Sequence, residues 1–154
     1  LLNCRIDGLD NYKPDLFIID LNLKLKKNLQ LNKILKKRKT YLITYKANIK
    51  KTQLYKKKGF KIILVNSLKN KDDFILLYKK LFKMGYSRVL TETGLTFLNT
   101  LIKYRLINDL YVFKSNNKLK KKGKNNTTLK YFNNILSKSI SINLNGDKLY
   151  KKEF

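Results

Sequence analysis

Short apolar runs, separated by polar and lysine-rich segments, recur along the first three quarters of the chain. The runs are rich in β-branched and aromatic residues, which favours strands over helices of the same length. The sequence predicts five strands: Asp15–Asp20, Thr40–Tyr45, Phe60–Val65, Arg88–Glu92 and Asp109–Lys114. The first of them, DLFIID, is apolar enough to predict a strand that is covered on both faces.

Helical patterns fill the segments between these runs. Lys71–Met84 places Phe74, Leu77 and Leu81 on one helix face and has acidic residues in its first turn. Two further helices are predicted at Ala47–Lys58 and Leu95–Tyr104. Strands that alternate with helices at this spacing are typical of βαβ units, so we expect an α/β fold with a mostly parallel sheet flanked by helices.

The pattern changes after Lys114. Residues 114–126 form a polar, low-complexity stretch without a core face, and Leu1–Tyr12 also reads as irregular. Near the end, Asn145-Gly146 separates two β-like runs, and both residues tolerate positive φ. The sequence therefore predicts a C-terminal antiparallel hairpin that joins or flanks the parallel sheet. At 154 residues we expect one domain.

The amino-acid composition excludes several kinds of metal and catalytic site. There is no histidine and one cysteine, Cys4, so the usual zinc ligand sets and the Ser-His-Asp and Cys-His arrangements have no residues to build them. A single cysteine also excludes an intrachain disulfide and fits a reducing, cytoplasmic setting. The longest apolar runs are too short to span a bilayer, so no membrane is expected as a partner.

The chain carries 36 basic and 10 acidic residues, a formal charge of +26. Only four of the basic residues are arginine, whose guanidinium forms bidentate hydrogen bonds to bases and phosphates, and lysine is spread along the chain. The joint abundance of lysine, asparagine and isoleucine is typical of AT-rich coding drift at solvated positions. We therefore expect weak, salt-sensitive attraction to polyanions but no specific nucleic-acid partner.

The run ETGLT contains the chain's best candidate site. Glu92 closes a predicted strand and Gly94 precedes a predicted helix, and ligands of α/β proteins gather at such junctions. Glycine allows close approach, the helix start attracts anions, and Thr93 and Thr96 add hydroxyl donors. The pattern fits a phosphate-bearing cofactor beside a polar substrate. An ordinary turn in which Glu92 caps the helix or pairs with a lysine is the alternative, and the G-x-G-x-x-G fingerprint is absent.

A wider pattern supports the first interpretation. TETG, LTFLNTLI and RLINDLYVF resemble a strand ending in Glu-Gly-Gly, a helix and an Asp-Glu-Leu strand start in the C-terminal reductase domain of the bifunctional deaminase–reductase of riboflavin biosynthesis. LLNCR resembles that family's Asp-Pro-Leu-Leu-Thr-x-Arg segment, and KPDLFIIDLNLKL resembles its Pro-x-Arg-Val-Val-Leu-Asp strand. The pieces occur in the same order, and the resemblance covers the whole chain, more weakly after Lys114.

The resemblance implies a dihydrofolate-reductase-like fold and NADPH-dependent reduction of 5-amino-6-(5-phosphoribosylamino)uracil to its ribitylamino product. The cofactor delivers hydride to C1′ of the ring-opened sugar, which needs no catalytic side chain and no metal. By match, the substrate-binding residues are Leu2, Arg5 and Glu92, and the cofactor-binding residues are Thr93, Gly94, Leu95 and Thr96. The resemblance also implies a homodimer.

Departures from the family pattern occur at several points. Thr93 replaces a common glycine, and Leu21 follows Asp20 where a cofactor-contacting serine is frequent. The family's Pro-Lys-Leu-Leu-Gly segment has no clear counterpart, so dimer contacts there are expected to differ. Relative to the family, a zinc deaminase domain and the first strand and helix of the reductase are missing, so we expect these residues alone to reduce substrate poorly or not at all.

Two other functions remain open from the sequence. One is a basic nucleic-acid-binding module that uses lysines for backbone contacts and tyrosines for stacking. The other is a reductase of the same fold that acts on a folate-like substrate; Arg5 together with Glu92 favours the phosphorylated pyrimidine over it.

Overall fold

The computed structural model describes residues 13–25, 35, 37–115, 139–140 and 146–154. The chain divides into two compact units, Leu1–Ser87 and Arg88–Phe154. The single domain expected from the sequence stays a prediction. Leu1–Tyr12 and most of the polar stretch after Lys114 lie outside the described residues.

The first unit is built on a three-stranded parallel sheet in the order β1-β2-β3. The strands are β1 (Leu16–Ile19), β2 (Thr40–Tyr45) and β3 (Lys61–Val65). A 3-10 turn (Lys46–Asn48) and helix α1 (Thr52–Lys57) connect β2 to β3, and helix α2 (Lys71–Lys83) follows β3. The α/β class and the parallel pairing predicted for these strands are confirmed.

The core of this unit surrounds the central strand. Leu42 and Ile43, which point to opposite faces of β2, are both fully buried, as expected for a parallel strand covered on two sides. On one of these faces Ile43 packs with Ile63 and with Leu77 and Leu81 of α2. The apolar stripe predicted for α2 is therefore its buried face.

β1 differs from the prediction that it is covered on both faces. Its residues are only partly buried, and Ile19 is 41% exposed. The reason is position: among the described residues β1 pairs with β2 alone and so lies at an edge of the sheet.

Both ends of α2 follow from local sequence. Asn70 caps the helix by accepting from the Asp73 N–H (2.9 Å), and the Asp73 carboxylate accepts from the main-chain N–H groups of Lys69 (2.9 Å) and Asn70 (3.2 Å). The Lys69 N–H bond, followed by a bond from the Ser67 side chain, lowers the pKa of Asp73. After the helix, Gly85 has φ +95°, a conformation that favours glycine.

Tyr86, directly after this glycine, joins the end of α2 to the start of the sheet. Its hydroxyl donates to the Asp15 carboxylate and lies 3.3 Å from the Tyr41 hydroxyl. Its ring meets Phe17 edge-on at 4.8 Å, and Phe17 stacks on Tyr41 at 4.7 Å. Burial and the bond to Asp15 raise the pKa of Tyr86, so the neutral phenol is the form that the fold stabilises.

The second unit combines helix α3 with an antiparallel sheet in the order β4-β6-β5. Its elements are α3 (Leu95–Lys103), β4 (Asp109–Lys114), β5 (Ser139–Ile140) and β6 (Lys148–Glu153). The antiparallel β5–β6 pair confirms the predicted C-terminal pairing, and Gly146 has φ +93°, while Asn145 lies outside the described residues. The expectation that Asp109–Lys114 joins the parallel sheet is wrong, because β4 pairs antiparallel with β6.

The strand predicted at Arg88–Glu92 is also absent. These residues form neither helix nor strand, and Val89 and Leu90 are 42% and 83% exposed. β-forming residues make a strand only when a neighbouring strand accepts their main-chain bonds, and in the described part of the chain this segment has no such neighbour. The junction before α3 is therefore an irregular segment rather than a strand end.

Candidate anion-binding site

The first turn of α3 begins at Gly94, the N-cap residue, with φ −73° and ψ 163°. Leu98 N–H donates to the Gly94 carbonyl at 3.1 Å and closes the first helical turn. Gly94 has no side chain that could cap this end, and no described residue supplies a side-chain cap in its place. The N–H groups of Leu95 and Thr96, at the first two helical positions, have no partner within the helix and point outward from its positive end.

Gly94 does not occupy a conformation that requires glycine. A φ of −73° with extended ψ is open to any L residue. Glycine has no Cβ, so at this position no side chain stands beside the first N–H groups of the helix. Substitutions at Gly94 therefore test ligand approach without straining the backbone.

The turn before the helix is open to solvent. Glu92, Thr93 and Gly94 are exposed, as is Thr96, while Leu95 is half-buried. The predicted cofactor-binding residues are thus contiguous and accessible. The sequence could place them together because they are neighbours in the chain.

Glu92 makes neither of the contacts that an ordinary turn would give it. It does not cap α3, whose N-terminus has no side-chain hydrogen bond. The ion pairs among the described residues join Lys151 to Asp109 and to Glu153, and Glu92 takes part in neither. An exposed carboxylate that has no ion-pair partner among the described residues is available to a ligand.

The other predicted substrate-binding residues, Leu2 and Arg5, lie outside the described residues. Their role stays a prediction.

A second polar arrangement, not predicted from the sequence, lies at the carboxyl end of the parallel sheet in the first unit. The Asp20 carboxylate accepts from the N–H groups of Lys24 (2.9 Å) and Leu25 (2.7 Å), which folds the chain into a tight loop after β1. The Leu21 carbonyl accepts from Thr44 Oγ1 (2.9 Å) and Asn48 Nδ2 (2.8 Å). Leu21 therefore contributes a main-chain acceptor to this loop, where the resembled family frequently has a serine side chain for the cofactor.

This loop could not be read from the sequence because its bonds join residues that are far apart in the chain. The only local signal was an acidic residue at the end of an apolar run. Both Asp20 oxygens accept hydrogen bonds from main-chain N–H groups. We therefore assign this loop a structural role at the end of the sheet.

In the part of the chain that the structure describes, no three His, Cys, Asp or Glu residues gather in a way that could hold a metal ion. The same residues include no helix with the length and apolar character needed to cross a membrane. Comparison with protein-family models finds no match for this chain. Comparison with curated protein sequences finds none either.

Proposed function

We propose that this chain is an NADPH-dependent reductase domain that converts 5-amino-6-(5-phosphoribosylamino)uracil to its ribitylamino product in riboflavin biosynthesis. The proposal includes a dihydrofolate-reductase-like fold, a homodimer and a cytoplasmic location. The observation that carries it is the exposed start of α3, where Gly94 lacks a capping side chain and Glu92 has no basic partner among the residues that the structure describes.

The donors at this helix start fit a diphosphate. Leu95 and Thr96 offer main-chain N–H groups at the positive end of a nine-residue helix. The Thr93 and Thr96 hydroxyls can donate to the same oxygens, and Gly94 leaves the approach open. When bound, NADPH supplies the hydride that reduces C1′ of the substrate.

Glu92 is assigned to the polar edge of the substrate. A carboxylate accepts hydrogen bonds from ring N–H or sugar hydroxyl groups, and Glu92 is exposed and not engaged by lysine. Its task is orientation, because an acceptor beside the cofactor site can hold the substrate for hydride transfer. On the resemblance alone, Arg5 holds the substrate phosphate and Leu2 lines the pocket.

The fold is compatible with the proposal at the level of class. Parallel strands come first, and an antiparallel C-terminal pair comes last. The finer dihydrofolate-reductase-like assignment remains part of the proposal.

The test separates binding from turnover, since these residues alone are expected to turn over poorly. NADPH is titrated into the chain at about physiological ionic strength with fluorescence detection, and the pyrimidine substrate is then titrated into the complex. We expect saturable NADPH binding that survives a doubling of salt. Glu92→Gln should weaken substrate binding about tenfold or more, the loss of one hydrogen bond to a charged group, and leave NADPH binding unchanged.

Glu153→Gln is the matched control, an exposed glutamate in the same unit that pairs with Lys151. It should alter neither affinity. The reductase proposal would be refuted if NADPH binding did not saturate, or if the affinity for NADPH fell with salt as steeply as the affinity for duplex DNA. Binding of dihydrofolate in preference to the pyrimidine phosphate would reassign the chain to folate reduction.

A further inference from the structure

Acidic residues are distributed unevenly along this chain. None occurs between Asp20 and Asp72, a stretch that holds almost half of the 36 lysines and arginines. The positive charge of this stretch is therefore not offset by any acid within it, although lysine itself occurs along the whole length.

Within that stretch, the connection from β2 to β3 presents the densest group of lysines that the structure describes. We call it the basic connection; its members, all exposed, are Lys46, Lys50, Lys51, Lys56, Lys57 and Lys58. None of them forms an ion pair with a described residue. Their charge is therefore uncompensated at this surface.

The loop after β1 lies against the same connection. Asn48 donates to the Leu21 carbonyl at 2.8 Å, and the Tyr55 hydroxyl donates to the Leu23 carbonyl at 3.3 Å. This places exposed Lys24 at the border of the basic connection. The acid of this loop, Asp20, has its oxygens occupied by main-chain N–H groups, so it offers little compensation.

Two other groups of described lysines lie on elements that also carry acids. Those of α2 share a helix with Asp72 and Asp73. In the second unit, Lys151 lies 3.3 Å from Asp109 and also contacts Glu153, and these bonds raise its pKa. Drift toward lysine at solvated positions explains a high overall charge, but it does not by itself predict one surface without acids.

We infer that the basic connection is a docking surface for duplex nucleic acid, which it binds through the phosphate backbone without sequence preference. Exposed lysines act as hydrated point charges that suit backbone phosphates, and the stretch's one arginine, Arg38, is buried. Single strands usually need exposed aromatic rings for base stacking, whereas Tyr55 packs edge-on against Phe60 at 5.8 Å.

A bilayer surface fits these residues less well. Ile49 and Leu54, 49% and 63% exposed, are the large apolar side chains exposed in the connection, and α1 has six residues. Helices that lie in a membrane interface present a long apolar face. Two isolated apolar side chains do not form one.

The test uses the whole chain and matched sets of lysines. Binding to two unrelated 20-base-pair DNA duplexes is followed by fluorescence anisotropy from about 50 to 300 mM salt. The test variant is K50Q/K51Q/K57Q, and the control is K79Q/K80Q/K83Q, which removes the same charge from exposed positions of α2. Each lost phosphate contact lowers the slope of log K against log salt concentration by about 0.9. We therefore expect this slope to fall by about 2.7 in the test variant and by less than about 1 in the control.

The inference would be overturned if the two variants lost equal amounts of salt slope, or if the chain strongly preferred one duplex over the other. A test variant that keeps its DNA affinity but loses binding to vesicles of anionic phospholipid would also overturn it, because that result would assign the surface to membranes. K50R/K51R/K57R should restore the salt slope. NADPH affinity and melting temperature should match the unmodified chain in all variants, which separates this surface from the reductase proposal.

Discussion

Gly94→Asp provides the sharpest test of the site at α3, because it is expected to stabilise the fold and to weaken cofactor binding at the same time. Aspartate is a good N-cap residue, and the backbone at position 94 (φ −73°, ψ 163°) already has the extended conformation of an N-cap. Its carboxylate would accept from the first N–H groups of the helix, the groups that we assign to the NADPH diphosphate.

The two effects have different sizes. Replacing a glycine cap by aspartate gains a few tenths of a kcal/mol, and a negative charge at an exposed helix N-terminus adds about 0.3–1 kcal/mol. Together they raise the melting temperature by about 2–4 °C in a chain of this length. For binding, losing one hydrogen bond to a charged group costs about 1.5–3 kcal/mol, and charge repulsion adds to it. The Kd for NADPH should therefore rise at least tenfold and approach about a hundredfold.

Thermal unfolding followed by circular dichroism measures the first effect, and NADPH fluorescence titration measures the second. Asn70→Asp is the control, since it makes the same charge change at the N-cap of α2, which already has a capping box. Asparagine and aspartate cap about equally, so this variant should gain at most the charge contribution of about 0.3–1 kcal/mol and should leave NADPH affinity unchanged. Gly94→Ala adds only a Cβ and should weaken binding by steric obstruction alone.

A Gly94→Asp chain that is stabilised yet binds NADPH like the unmodified chain would show that the start of α3 does not hold the diphosphate. A chain that is destabilised would contradict the cap geometry itself.

Three further predictions concern stability, each read from unfolding curves. Leu77→Ala, at a position 4% exposed in the core, should lower the free energy of unfolding by about 2–5 kcal/mol, whereas Leu76→Ala, 66% exposed, should stay within about 0.5 kcal/mol; equal effects would refute the core assignment. Tyr86→Phe should cost about 1–3 kcal/mol by removing the donor to Asp15. Because the folded pKa of Tyr86 is raised above its ordinary value of 10.0, that stabilisation is complete below pH 10 and is lost as pH rises further, so the two urea midpoints should converge in alkali. The pKa of Asp73 is lowered from 3.8, so its contribution is present above that pH and lost as pH falls; Asp73→Asn should be less stable than the unmodified chain at pH 7 and indistinguishable from it near pH 2.

Elements with local signals could be predicted from the sequence. β2 occupies the predicted residues, Thr40–Tyr45, because its β-branched and aromatic run ends sharply at both sides. Two helices were placed within a residue at each end, since Asn70 and Asp73 mark the start of α2 and Gly85 adopts the positive φ that stops it. Capping and chain reversal depend on neighbours in the sequence, so the sequence shows them.

Pairing depends on distant residues and was predicted less well. β4 has the expected bounds, but its partner is β6, some forty residues later, in antiparallel register from Asp109↔Glu153 to Lys114↔Lys148. Alternation of strands and helices cannot distinguish this sheet from a continuation of the parallel one. Arg88–Glu92 has the composition of a strand but no partner among the described residues, and β propensity reports fit to neighbours more than a property of the backbone.

The residues of the candidate site also differ in whether they depend on local geometry or on distant contacts. Gly94, Leu95 and Thr96 gain their anion-binding character from the start of a helix, which needs only local geometry. Glu92 precedes the helix on a segment without fixed secondary structure, so its direction depends on what that segment packs against. Cofactor phosphate binding should therefore tolerate a change in the direction of this segment, while substrate orientation should not. A variant of this segment that left NADPH affinity intact and substrate affinity reduced would locate the two halves of the site on these two kinds of structure.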